Sequence, residues 1–227
     1  MSGHSHYATT KRQKELKDNA RGQIFSKLGR AITIAAKSGG GPDPDSNFKL
    51  RIAIDKARAA SMPKENIDRA ISRGGSGGEV FDEILYEGFG PAGISVLVSV
   101  ATDNRNRTNA EIRSLFDKNG GKMGSPGSVS FNFEPSGFVF VEKETNVDEQ
   151  ILKLIDLGAE DVEVVEDGIV VYMPLNKIEI FKGEFIQKPK TYIKVPDEKQ
   201  DQVKTFLDNF ETHDDVQEVF TNADYAH

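Results

Sequence analysis

The residues of this sequence most suited to chemistry are two arginines at a junction. Asp103-Asn104-Arg105-Asn106-Arg107-Thr108 follows the apolar stretch Ile94–Val100 and leads into an amphipathic segment. A strand-to-helix turn of this kind presents unpaired backbone amides and the positive end of the helix dipole, which attract anions. Arg105 and Arg107 oppose that dipole unless an anion or a carboxylate lies nearby. Two readings stand side by side: a phosphate site, or pairing of both arginines with local Asp or Glu. Lys118-Asn-Gly-Gly-Lys-Met-Gly-Ser-Pro-Gly127 carries Lys118 and Lys122 on glycine-rich backbone that can follow a nucleic-acid strand closely. The alternative there is a mobile connection. Near the start, Lys11, Arg12, Lys14 and Lys17 accompany Tyr7, a mixture that neutralises phosphates and stacks on a base.

Other chemistries find little support. Gly88-Phe-Gly90-Pro-Ala-Gly93 matches G-x-G-x-x-G, but the dinucleotide fingerprint opens a helix, whereas this one leads into a strand. Pro91 also lacks an amide donor, so a tight turn is expected. No phosphate-binding G-x-x-x-x-G-K-[ST] occurs. The histidines stand at 4, 6, 213 and 227 without a cysteine in the chain, which excludes thiolate ligands and disulfides and leaves no metal-ligand spacing. His213 beside Asp214 and Asp215 reads as a polar turn. No nucleophile–base arrangement is legible. The expectation is a protein without catalytic residues, metal or cofactor.

The net charge of −7 conceals a partition. Residues 1–75 carry 15 Lys and Arg against 7 Asp and Glu, whereas residues 76–227 carry 14 against 29. The basic part calls for a polyanionic partner or a solvated helical surface, and the acidic part repels phosphate except where cations cluster. The longest apolar run, Ile94–Ala101, is far too short to span a bilayer. The start lacks an apolar signal core, so no membrane partner and a cytoplasmic location, rather than the mitochondrial matrix, are expected.

The elements that position these groups follow from periodicity. From Gly22 to Lys37, Ile24, Phe25, Leu28, Ala31, Ile32 and Ala35 share a helical face, with Lys27 and Arg30 on the far side. A second helix, about Ser46–Ala60, puts Phe48 and Ile52 on one face and Leu50, Ile54 and Ala57 on another, as expected of a helix packed from both sides. It carries two heptad-spaced basic pairs, Lys49/Lys56 and Arg51/Arg58. A third helix begins at Met62-Pro63 and buries Ile67, Ala70 and Ile71. Gly74–Gly78 then reads as a flexible linker where the charge changes sign.

Beyond it, a strand at Ile94–Val100, a helix at 108–119 capped by Thr108 and Glu111, and a strand at Ser128–Phe133 form a βαβ unit. Phe138–Val141, a helix at Val147–Leu157, a hairpin of Asp161–Val165 with Ile169–Tyr172, a short helix near Leu175–Lys182 and a strand near Glu184–Gln187 follow. Thr191–Val195, a helix from Asp197 and a strand at Val216–Thr221 make a second βαβ. The class is α+β: an N-terminal helical bundle and two ferredoxin-like α+β domains, the third inserted into the second. The expected divisions are a basic tail at 1–20, a helical domain at 21–75, a discontinuous domain at 80–136 plus 189–227, and an insert at 137–188.

Together, Gly3-His4-Ser5, Arg21–Leu28, the Gly39–Asn47 turn, Met62–Ile67, Tyr86–Pro91, Asp103–Thr108, Lys118–Gly121, Gly127–Phe133 and Asp214–Val219 resemble the YebC/PmpR family in order over nearly the whole chain. The resemblance implies three domains, the second interrupted by the third. It also implies a DNA-binding transcriptional regulator, or a factor acting in translation at the ribosome, with no enzymatic activity. Two departures are His6-Tyr7 in place of the family's Lys-Trp, and a short segment between Pro174 and Pro189.

The expected function is therefore non-catalytic binding of nucleic acid, either DNA or ribosomal RNA. Contacts are expected from Lys11, Arg12, Lys14, Lys17, Lys27, Arg30, Lys49, Arg51, Lys56, Arg58, Arg105, Arg107, Lys118 and Lys122. The rival from another class is a protein-interaction adaptor working through the acidic sheets.

Overall fold

A computed structural model describes residues 21–38, 40–75 and 81–225. Three helices form the head: α1 (Arg21–Ser38), α2 (Phe48–Ala59) and α3 (Lys64–Gly75). Ile32, Ala36, Leu50, Ile54, Ala57, Ile67 and Ala70 close its core. Asn47 caps α2 by accepting the Leu50 amide at 3.0 Å, while its buried amide group donates to Ala35 O and Gly41 O. One side chain thus fixes the α1–α2 turn and starts the second helix. Gly74 lets α3 lie directly against α1, since a Cβ there would stand 2.4 Å from Thr33 O.

The first sheet comprises β1 (Asp82–Phe89), β2 (Ser95–Thr102), β3 (Lys122–Met123) and β9 (Val216–Thr221), in the order β3-β1-β2-β9, antiparallel throughout. Between β2 and β3 runs α4 (Arg105–Lys118), and α7 (Asp197–Glu211) precedes β9. Both helices pack on one face, where Ile112, Phe116, Val203, Phe206 and Phe210 meet Tyr86, Val96, Val98 and Val100. The unit β2–α4–β3 is a split crossover with β1 between its strands.

The second sheet orders β5-β6-β4-β7, from β4 (Phe133–Val141), β5 (Asp161–Val165), β6 (Gly168–Met173) and β7 (Glu184–Pro189). It carries α5 (Val147–Asp156) and the one-turn α6 (Ile178–Phe181) in the short segment before β7. A parallel pair, β8 (Ile193–Lys194) with β10 (Ala223–Asp224), lies beside these sheets. Leu97 and Phe220, on the helix-free face of the first sheet, join Val129, Phe133, Phe138 and Tyr172 in one cluster. The α+β class expected from the sequence is the observed one.

Three local expectations are corrected. Strand β1 was not legible, because Glu83, Glu87 and Gly88 interrupt its apolar residues Ile84, Leu85, Tyr86 and Phe89 and leave no clean alternation. Residues 130–132 form a 3-10 turn rather than a strand. The cause is Glu87: its buried carboxylate accepts the amides of Gly127, Val129 and Ser130 at 2.7–2.8 Å, so these amides are not available to a neighbouring strand. Helix α4 starts at Arg105, capped by Asn104, whose side chain accepts the Arg107 amide. Thr108 lies inside the helix and does not cap it.

The G-x-G-x-x-G stretch is a packing device. A Cβ at Gly88 would stand 2.5 Å from the Phe116 ring, and one at Gly90 would stand 2.8 Å from Ile94. Gly93 has φ +78°, which suits a residue without Cβ. The tight turn expected there is what forms.

Candidate nucleic-acid interface

The strand-to-helix turn builds a network around one buried carboxylate. Asp215, just before β9, is 4% exposed in its side chain. Arg30 of α1 donates to its Oδ1 at 2.8 Å, and Arg107 of α4 donates to its Oδ2 at 3.0 Å. Thr108 also donates to Oδ2. The Thr102 and Thr108 hydroxyls lie 2.7 Å apart. Thr102 Oγ1 also accepts the Asn104 amide at 2.9 Å. Burial opposes ionisation of Asp215. The hydrogen bonds from Thr108, Arg107 and Thr102, with the Arg30 charge, outweigh it and hold the carboxyl down at about 2.

Arg30 extends this network with bonds to Ala101 O at 3.1 Å and Asp214 O at 2.8 Å, and its guanidinium stacks on Phe81. Arg107 also reaches Asp103 at 2.8 Å. Arg105 approaches Asp82 at 3.8 Å and remains exposed. Of the two readings of this turn, pairing with carboxylates is the one the geometry displays. Asp215 supplies the partner that spacing along the chain concealed.

Glu111, His213 and Asp215 place ligand-type atoms within 4.8 Å of one another. Their hydrogen bonds argue against a metal site. His213 Nδ1 accepts the Asp215 amide, which leaves the ring proton on Nε2, 3.0 Å from Glu111. Both Asp215 oxygens are already occupied by arginines and a threonine.

The head's basic face meets the acidic body in the same way. Lys27 donates to Glu211 O. Burial pushes its ammonium down to about 8, against the attraction of Glu211 and Asp214. Arg51 pairs with Glu179 at 2.8 Å. Lys56 bridges Glu184 of β7 at 2.8 Å and Glu218 of β9 at 3.7 Å, so one ammonium ties the head to both sheets. Burial works against the Lys56 charge, but Glu218 and Glu184 outweigh it and raise the pKa. Phe48 and Ile52 pack against Leu154, Val171, Met173 and Ile178 of the second sheet unit. Helix α2 is indeed buried from both sides. A cleft of about 240 Å³ remains between Leu28, Ala31 and Lys49 of the head and Glu83, Val100 and Gln217 of the body.

The other cations point elsewhere. Among the described residues Lys49, Lys118 and Lys122 form no ion pair, and Arg58 has only Asp55, one turn away at 3.4 Å. Lys49 and Arg58 lie on the head, whereas Lys118 and Lys122 lie at the α4–β3 turn, so the structure does not gather all four at one point. Lys11, Arg12, Lys14 and Lys17 fall outside the described residues, as do Ser76–Gly78 of the expected linker. Sequence reasoning missed Asp215, Glu87 and the exposure of Phe131. Long-range pairing leaves no signal in local spacing.

Comparison with known proteins places these features in a wider set. A family model described as "TACO1/YebC protein N-terminal domain" matches residues 5–77, and one described as "TACO1/YebC second and third domain" matches residues 81–223. A "Probable transcriptional regulatory protein" of Chloroflexus aurantiacus is 46% identical, with 99% of this chain and 96% of that protein covered. The "Probable transcriptional regulatory protein YrbC" of Bacillus subtilis is 41% identical, with 98% and 99% covered. The crystal structure of a conserved hypothetical protein from Aquifex aeolicus superimposes with a TM-score of 0.80 at 39% identity, over 91% of each chain. Among the described residues, no helix is long and apolar enough to cross a membrane.

Proposed function

The chain belongs to the TACO1/YebC family, and from that premise we propose that it is a non-catalytic, nucleic-acid-binding regulator of gene expression. The observation that carries this reading is the contrast between the cations matched to carboxylates where the head meets the body and the exposed Lys49, Lys118 and Lys122, which form no ion pair among the described residues, with Arg58, whose partner is only Asp55 one turn away. Lys49, Arg58, Lys118 and Lys122 are left facing solvent. With the tail lysines and arginine they would supply backbone contacts. Lys27, Arg30, Arg51 and Lys56 serve first to dock the head on the body, and Arg107 pairs with Asp215 within the body. The names of the relatives point to transcription, hence to DNA. A ribosomal RNA target is the second reading, favoured by the acidic body, which disfavours wrapping of duplex DNA. The reading divides the chain at 21–75, at 80–136 plus 189–227, and at 137–188.

The test is binding by the full chain and by its K49E/R58E/K118E/K122E variant to promoter-length duplex DNA and to ribosomal RNA. The four positions are exposed, so the fold is retained. The expected result is at least a tenfold loss on the true target. Equal affinity of the two proteins on both targets would refute the reading, and the target on which the loss appears distinguishes DNA from RNA.

A further inference from the structure

The helix-free face of the first sheet is only partly covered. Gly88 faces Phe116 under the helices, so its neighbour Phe89 faces the other way. Phe89 stands in register with Lys122 on β3 and with Ser95 on β2, and its side chain is 42% exposed. The 3-10 turn crosses this same face. Ser130 donates its amide to Glu87, two residues before Phe89, and the Asn132 side chain donates to Ser95 Oγ at 3.0 Å. Between them Phe131 is 65% exposed, a large cost for an aromatic ring in water. Register and these bonds bring Phe131 to on the order of 10 Å from Phe89.

The polar surroundings are cationic. Lys190 donates to Phe131 O at 3.1 Å, and Lys122 is exposed beside Phe89. The nearest carboxylate along β1, Glu87, is buried and consumed by three amides. Glu83 lies about 20 Å back along the strand. Glu134 stands in register with Lys188 on the second sheet. Two exposed rings flanked by two lysines on a sheet face match the requirements of unpaired bases: a π-face to stack on and a phosphate backbone to neutralise. A protein partner would be expected to use aliphatic area as well, and would gain nothing from the lysines unless it were acidic.

We propose that this face binds single-stranded nucleic acid, stacking bases on Phe89 and Phe131 and neutralising phosphates with Lys122 and Lys190. The inference rests on the nucleic-acid reading above and specifies its ligand as unpaired strands. The test uses the full chain with fluorescein-labelled U12, dT12 and a blunt 12-base-pair duplex, comparing F131A, F131L, F131Y and F89A. Base stacking predicts about a tenfold loss on single strands for F131A and F89A. F131L is expected to lose as much, F131Y to retain binding, and all four to leave the duplex affinity within twofold. The tighter of U12 and dT12 shows whether RNA or DNA supplies the strand. Single-strand affinity unchanged in F131A and F89A would overturn the proposal, and so would full binding by F131L, which has apolar area without a ring. A protein that binds the duplex alone would overturn this proposal and leave the wider reading standing. One that binds none of the three probes, nor the ribosomal RNA and promoter DNA above, would overturn both.

Discussion

The joint between head and body and the open face at the β1–β3 edge use the same residue types to opposite ends. At the joint, Arg30, Arg107 and Lys56 each meet a carboxylate at 2.8–3.0 Å, and the apolar residues Phe48 and Ile52 are packed. At the open face, Lys122 and Lys190 meet no carboxylate among the described residues, and Phe89 and Phe131 are exposed. The difference shows that the cations of this chain are not equivalent: some are matched by carboxylates across the joint, and others are left exposed. Part of the basic excess of residues 1–75 is an intramolecular match for the acidic excess that follows.

The largest effect should come from the joint. Replacing Asp215 with Ala leaves Arg30 and Arg107 without their buried partner. Urea denaturation should then show a loss of about 3 kcal/mol; a loss under 0.5 kcal/mol would mean that the network does not hold the head. The native carboxyl titrates below its ordinary value, so its contribution is complete above about pH 4 and disappears as pH falls toward about 2. D215A should lack that part of the acid transition.

Next comes the support of the open face. E87Q replaces a carboxylate that accepts three amides with a group holding one acceptor oxygen, and should cost about 2 kcal/mol. Hydrogen exchange at Gly127, Val129 and Ser130 should quicken in step. Protection unchanged from wild type would show that another contact positions the turn. A smaller cost, about 1 kcal/mol or less, is expected for K56A, because its ion pairs are half-exposed. A loss several times larger would mean that this bridge, rather than Asp215, dominates the joint.

The smallest effect concerns Glu163, whose Oε2 is buried without a hydrogen-bond partner. Burial, with Asp161 adding and Lys188 opposing, raises its carboxyl to about 7. The folded state therefore holds a proton that the unfolded chain has released, and stability from this group falls as pH rises from about 4.5 to about 7. E163Q should melt at the wild-type temperature at pH 4.5 and slightly above it at pH 8. Equal melting temperatures at both pH values would contradict the shift.

Local signals in the sequence were sufficient for elements that pack through their own periodicity. Helices α1, α2, α5 and α7 and the β5–β6 hairpin show apolar spacing that their burial requires, and the double-faced pattern of α2 anticipated contacts on both sides. Residues whose role depends on distant partners were not legible. Arg30, Arg107 and Asp215 lie in three separate parts of the chain, and nothing in their spacing announces the network. Glu87 turned the expected strand at Ser128–Phe133 into a 3-10 turn by taking its amides, and Phe131 within that turn is exposed to solvent. At the Asp103–Thr108 turn, the two arginines were identified as the residues to explain, and the choice between anion and carboxylate needed the fold.

The most direct test of the account compares two cation sets in one titration. The exposed set, K49E/R58E/K118E/K122E, and the docked set, R51A/K56A, are measured beside the wild type for nucleic-acid affinity from 50 to 200 mM salt, as a range on the order of that used for counterion release. The account predicts that the exposed set flattens the dependence of log K on log salt by about 3, while the docked set lowers stability and leaves the slope unchanged. A slope unmoved by the exposed set, or moved chiefly by the docked one, would contradict it.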